Sequence, residues 1–313
     1  MCALMDPENL GNGSVPPCYS WKLGSSTFRA IPECGARLLD WNLALAGQRQ
    51  RSVIQWPEAA DFSNLAGVRG GNPILFPFAS RSYHRGLEYH WADPDGNKRP
   101  MPRHGFAREG KFAIEAMNEE GFTARLQPSP EDHEAYPFRY EFRVRYRFEE
   151  LALKVELLLK NMDERPIPWS AGHHFYFTLP WIEGSRRKDY ELHMQAKKAV
   201  YFSPEGKLMG EKLQPGPINF ADPAIVDRIH FQLRHRQIEF GPLGGEERVF
   251  IRIGDGEPPA ANCAVVTWTE SEDSPFYCVE PWMGLPNAAE HGKGLHWVDP
   301  EQEGRFVTEV SLY

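Results

Sequence analysis

The chain has 313 residues and a formal net charge of −8, with 25% charged and 41% apolar residues. These are ordinary globular values, and the length suits one large β-domain or two smaller domains. No run of about 18 apolar residues occurs, which excludes a helical membrane span, and the basic residues form no block, which argues against a nucleic-acid partner.

The chain opens without the basic and apolar regions of a secretory signal. Residues 1–18, rich in Gly, Asn, Ser and Pro, read as a mobile tail, and 19–313 read as one domain. Short strands are predicted at Tyr19–Leu23, Thr27–Ile31, Lys111–Met117 and Thr123–Gln127. The clearest periodicity runs from Phe138 to Phe148, where aromatic or apolar residues alternate with Arg and Glu. On a strand that pattern gives one apolar face and one charged face, whereas a helix would smear the charges around its axis. Glu149-Glu150 reads as a turn and Leu151–Lys160 as the returning strand. Further strands are predicted at Tyr190–Ala196, Gln237–Phe240, Val249–Ile253, Ala264–Thr269 and Val307–Leu312. The 27 glycines and 27 prolines leave little room for helices of average length. The expected fold is all-β, a large antiparallel β-sandwich with few short helices. Cys2, Cys18, Cys34, Cys263 and Cys278 match no zinc spacing and read as reduced thiols of a cytoplasmic protein.

The segment Gly70–Arg108 mixes Gly-Gly, Pro, His and Arg with apolar residues, as the wall of a ligand site would. It carries Arg81, His104 and Arg108. Three more polar patches stand out: Gly172-His173-His174-Phe175-Tyr176-Phe177, Asp227, and Cys278-Val279-Glu280-Pro281-Trp282. A glutamate between apolar and aromatic neighbours suits either proton transfer with a raised pKa or an ion pair at a strand end. His174 suits either a hydrogen-bonded core position or an acid. Adjacent on a strand, His173 and His174 point to opposite faces, which disfavours joint metal chelation. Asp227 reads equally as a surface partner of Arg228. No phosphate-binding Gly loop leading into a helix, no Gly-x-Ser-x-Gly elbow and no protease signature occurs.

Taken in order, these patches resemble the aldose 1-epimerase (galactose mutarotase-like) family over Gly70–Asn287. Gly70-Gly71-Asn72-Pro73-Ile74-Leu75-Phe76-Pro77 with Arg81 is similar to its sugar-binding stretch. His104-Gly105-Phe106-Ala107-Arg108 is similar to the segment of its first active-site histidine. His174-Phe175-Tyr176-Phe177 resembles its general-acid motif, and Val279-Glu280-Pro281-Trp282 its catalytic-base motif. The resemblance implies a β-sandwich that interconverts the α and β anomers of a hexose without metal or organic cofactor. It implies Glu280 as base, His174 as acid, and His104, Arg81, Asp227 and Arg108 as substrate-binding residues. Phe175, Phe177, Trp181 and Trp282 are candidates for an apolar floor. The chain departs from many simple members in having His173 where they have asparagine. Its Glu-Pro-Trp and His-Gly-Phe-Ala-Arg forms point to side branches such as the hexose-6-phosphate mutarotases. There, Arg81, Arg85, Arg103 and Arg108 would hold a phosphate. A small-molecule sugar is the expected partner, with the protein a monomer or homodimer. A non-catalytic sugar-binding protein on the same fold is the alternative from another class. A glycoside lyase or hydrolase would have to recruit Tyr83 or Asp227.

Overall fold

A computed structural model describes residues 2–4, 16–211 and 216–313. The Tyr140–Glu149 and Ala152–Asn161 strands form the longest hairpin, in register from Tyr140 opposite Asn161 to Glu149 opposite Ala152. Phe142, Val144, Tyr146 and Phe148 are buried on one face. On the other, Arg145 pairs with Glu156, and Arg125 and Arg143 share Glu115. Alternation thus becomes a core face and a face of cross-strand ion pairs. The turn falls one residue later than predicted, at Glu150-Leu151.

That hairpin belongs to a nine-stranded antiparallel sheet. Its spatial order is Lys111–Asn118, Gly121–Gln127, Tyr140–Glu149, Ala152–Asn161, Glu303–Leu312, Val249–Ile253, Gln237–Pro242, Tyr190–His193 and Ile218–Asn219. A second sheet, of thirteen strands, runs Cys2–Leu4, Tyr19–Leu23, Ser26–Ile31, Arg37–Ala44, Gln50–Ile54, Tyr176–Thr178, Phe276–Trp282, Ala264–Trp268, Arg228–Leu233, Ala196–Phe202 and Leu208–Glu211. Gly172–His173 and Ile74–Leu75 attach beside Phe276–Trp282. The inner faces meet in aromatic contacts: Trp21 packs on Phe122 and Phe148, Phe28 stacks on Phe148 at 4.5 Å, and Phe177 meets Phe240 at 5.0 Å. The result is the expected sandwich. The α-helices among the described residues are short, Pro130–Ala135 and Ala288–His291.

One strand expectation is revised. The run predicted as one strand, Tyr190–Ala196, is two strands in different sheets, Tyr190–His193 and Ala196–Phe202, with the chain crossing between them. A local alternation pattern is the same on either sheet, so it does not reveal a crossover. Most of the expected tail lies outside the described residues, but Cys2–Leu4 pairs antiparallel with Tyr19–Trp21 and Cys18 is buried. Cys18, Cys34, Cys263 and Cys278 are free thiols. No helix among the described residues is long and apolar enough to cross a membrane.

Candidate active site

The strand Phe276–Trp282 lies inside the thirteen-stranded sheet, between Tyr176–Thr178 and Ala264–Trp268, with Glu280 opposite Val266 and Cys278 opposite Tyr176. Alternation turns Tyr277 and Val279 into the inter-sheet core and Glu280 and Trp282 to the other face. The same rule splits the histidine patch. His173 is wholly buried, stacked on Phe175 and Phe306, while His174 and Tyr176 look outward and stack on each other at 4.7 Å. The opposite-face expectation for the two histidines therefore holds.

This outer face carries a cleft of about 550 Å³. Glu280, His174, His104, Arg81, Asp227 and Arg108 all line it, drawn from segments up to about 200 residues apart in the chain. Arg85 does not; it is exposed on the Tyr83–Glu88 hairpin, where its N–H donates to Glu290. Of the four candidate floor aromatics, only Trp282 reaches the cleft. Phe175 and Phe177 share the core face of their strand with His173, and Trp181 packs on Tyr190 and Phe240 elsewhere. The apolar surfaces present are Trp282, Trp268, Tyr176 and Phe202. Tyr176 was legible from the same alternation that separates His173 from His174. Trp268 and Arg69, which lies over the Trp268 ring and pairs with Glu270, gave no local signal.

Glu280 is 2% exposed, and its Oε1 lies 3.4 Å from His174 Nε2. Burial pushes the Glu280 carboxyl well above its ordinary range; Arg103 opposes this and Asp227 adds to it. Burial likewise pulls His174 well below the ordinary imidazole value, with Arg103 acting in the same direction. Glu280 Oε2 and His174 Nδ1 are buried with no hydrogen-bond partner in the protein. Orphaned polar atoms of this kind cost about 1–3 kcal/mol each, a cost that a polar ligand relieves.

Asn72 positions the histidines. Its Oδ1 accepts from the His174 backbone N–H at 3.1 Å. Its Nδ2 lies 3.2 Å from His173 Nδ1 and donates to the Tyr146 hydroxyl, on the opposite sheet, at 2.8 Å. His104 is set by a different device. Gly105 has φ +71°, and a Cβ there would run into the Phe76 carbonyl, so only glycine permits this approach. The Ser80 N–H donates to His104 Nδ1 at 3.0 Å, and His104 N–H donates back to Ser80 O at 2.7 Å. With Nδ1 an acceptor, the neutral ring carries its proton on Nε2. Burial, then His174 and Arg103, holds His104 well below its usual pKa. Asp227 stands exposed at the rim with φ +57°; partial desolvation raises its carboxyl, opposed by Arg103 and Arg81.

His174, Cys278 and Glu280 offer donor atoms all within 4.8 Å of one another, closer to a metal-binding group than the sequence suggested. Burial and Glu280 push the Cys278 thiol well above its normal range, so it enters the site as a neutral thiol.

Comparisons with known proteins give the family and the fold. The sequence profile of the family described as Aldose 1-epimerase covers residues 17–236. The chain belongs to the aldose 1-epimerase family. It is 27% identical over 243 residues to protein LacX (chromosomal) of Lactococcus lactis subsp. lactis, spanning 72% of this chain and 78% of that one. A protein of Cenchrus ciliaris named for glucose-6-phosphate 1-epimerase activity is 24% identical over 245 residues, 71% of this chain and 66% of that one. Among solved structures, the Slr1438 protein from Synechocystis sp. PCC 6803 superposes with a TM-score of 0.77 at 21% identity, over 96% of both chains. A galactose mutarotase related enzyme from Lactobacillus acidophilus gives 0.77 at 19% identity, over 95% of this chain and 97% of that one. These likenesses agree with the sandwich expected for the family.

Proposed function

We propose that this protein is an aldose 1-epimerase that interconverts the α and β anomers of a hexose by acid–base ring opening. The observation that carries the reading is the buried Glu280–His174 contact at 3.4 Å in the cleft. Opposite shifts favour a resting pair that carries one proton, on the carboxyl. Its transfer to His174 creates a carboxylate base and an imidazolium acid together. Glu280 then removes the C1 hydroxyl proton while His174 protonates the ring oxygen and the C1–O5 bond breaks. The open-chain aldehyde rotates about C1–C2, and closure on the other face returns both protons. His104, a neutral donor through Nε2, hydrogen-bonds an oxygen near the reacting centre. Arg81 and Asp227 hold hydroxyls above the Trp282 and Trp268 rings. No step calls for a metal or organic cofactor.

A second reading, a 6-phosphorylated hexose as substrate, is favoured by the arginines. Arg81 is paired with Glu88 and Arg69 with Glu270, whereas among the described residues no carboxylate lies within ion-pair distance of Arg103 or Arg108. Burial lowers Arg108, Glu109 opposes this and the neighbouring Arg103 lowers it further, and its Nε is buried without an acceptor. Crowded cations of this kind suit an anion. The test is anomer exchange by NMR or polarimetry on freshly dissolved α-glucose, α-galactose and glucose 6-phosphate. Exchange above the spontaneous rate is expected, and a preference for the phosphorylated sugar that falls in Arg108→Ala supports the second reading. Calorimetric sugar binding with no acceleration on any sugar would replace both readings with a non-catalytic binder.

A further inference from the structure

Behind one wall of the cleft lies a cation that the acid–base pair does not use. Arg37 opens the strand Arg37–Ala44 and is wholly buried. Its guanidinium donates to three main-chain carbonyls, of Leu65 at 2.6 Å, Val68 at 2.8 Å and Gly70 at 2.7 Å, and lies 5.2 Å over the Trp56 ring. No carboxylate among the described residues pairs with it. Burial lowers its pKa to about 10, so it is still a cation at neutral pH. Burying a charge costs several kcal/mol, which the three carbonyls and the Trp56 ring offset by holding the guanidinium in place.

What it grips is informative. Leu65, Ala66, Gly67, Val68 and Arg69 form one wall of the cleft. This wall is irregular backbone: a 3-10 stretch, Phe62–Gly67, broken at Asn64 and followed by an extended run into Gly70. The Leu65 carbonyl also accepts from the Val68 N–H at 3.2 Å, closing the 3-10 stretch, while Val68 and Gly70 lie outside helix and strand. A guanidinium, with donors spread over a rigid plane, reaches three of them at once, which a lysine ammonium does not match.

We propose that Arg37 is a positioning residue that clamps the 65–70 wall, and with it Arg69, in the geometry a bound sugar meets. The proposal rests on the sugar-site reading of the cleft. The Arg37 charge also bears on His174, adding to the other effects that hold that imidazole neutral.

The discriminating variant is Arg37→Lys, which keeps the charge and loses the fork. For the sugar that the wild type turns over best, KM is expected to rise by about tenfold with kcat within about threefold. Amide hydrogen exchange over 65–70 is expected to quicken at least about tenfold while the Tyr140–Glu149 strand is unaffected. An unchanged KM with unchanged exchange overturns the proposal, as does a fall in kcat alone, which would mark a loss of folded enzyme. If Arg37→Lys does not fold, Arg37→Gln takes its place under the same two readouts, and unchanged exchange over 65–70 overturns the clamp. If the wild type exchanges no sugar, the functional reading fails, and the hydrogen-exchange comparison still tests the clamp by itself.

Discussion

Glu280 and His174 are pushed in opposite directions by one cause, removal from water, and that fixes what each substitution should do. Because burial favours the protonated carboxyl, Glu280→Gln puts a neutral group of nearly the same shape in its place. The fold and its melting temperature should survive, while kcat/KM for anomer exchange falls by about 10²–10⁴. A Gln variant as fast as wild type in polarimetry would remove Glu280 from the chemistry. The one-proton pair also sets the pH dependence. A second proton on His174 stops turnover at a pH below the ordinary 6.5, and loss of the shared proton stops it at a pH above the ordinary 4.5 of a glutamate. The kcat/KM profile should be bell-shaped, and Glu280→Gln should abolish its alkaline limb. Both residue types were legible in the sequence as polar groups among aromatics. Their 3.4 Å contact was not, because 105 intervening residues say nothing about which strands become neighbours.

Local alternation explains much at the level of elements. It separates His173 from His174, and applied one step further it assigns Phe175 and Phe177 to the core and Tyr176 to the cleft. It fails where the chain leaves the strand pattern, and those are the places that set the site. His104 is held by a glycine turn rather than a strand. Gly105→Ala forces a Cβ against the Phe76 carbonyl in a left-handed conformation. A cost of about 2–4 kcal/mol in urea denaturation is expected, with weakened sugar binding as His104 shifts; an unchanged midpoint would show that the turn relaxes freely. The Phe276–Trp282 strand illustrates the other limit. Pro281 made Glu280 look like a strand end, yet register places it opposite Val266 in a central strand, with Pro281 opposite Val265.

At the level of the whole molecule, the sandwich buries histidines that must stay neutral. His173 and His230 both have pKa values lowered to about 3 by burial. Their folded pKa lies below the unfolded value, so as pH falls from 6.5 the unfolded chain takes up protons first. The stability they contribute is complete above pH 6.5 and is lost progressively toward pH 3. Each such group contributes a slope of about 1.4 kcal/mol per pH unit. Glu280, raised instead, gives a slope of opposite sign above its ordinary value. Removing one histidine isolates its share: between pH 6.5 and 5, urea-denaturation stability of His173→Asn should fall less steeply than that of wild type by about 1 kcal/mol per unit. Parallel slopes would mean that His173 titrates normally. By itself the sequence determined the all-β class, the two faces of the long hairpin, the orientation of the histidine pair and the residue types of the site, since each is a consequence of period-two geometry or of side-chain chemistry. Tertiary structure alone decided which sheet each strand joins, that Arg85 and Trp181 stand away from the cleft, and that Arg69, Arg37 and Trp268 belong to it or stand behind it. The reason is physical: strand pairing and a buried guanidinium's choice of carbonyls are long-range contacts, and nothing within one turn or strand of the chain encodes the partner.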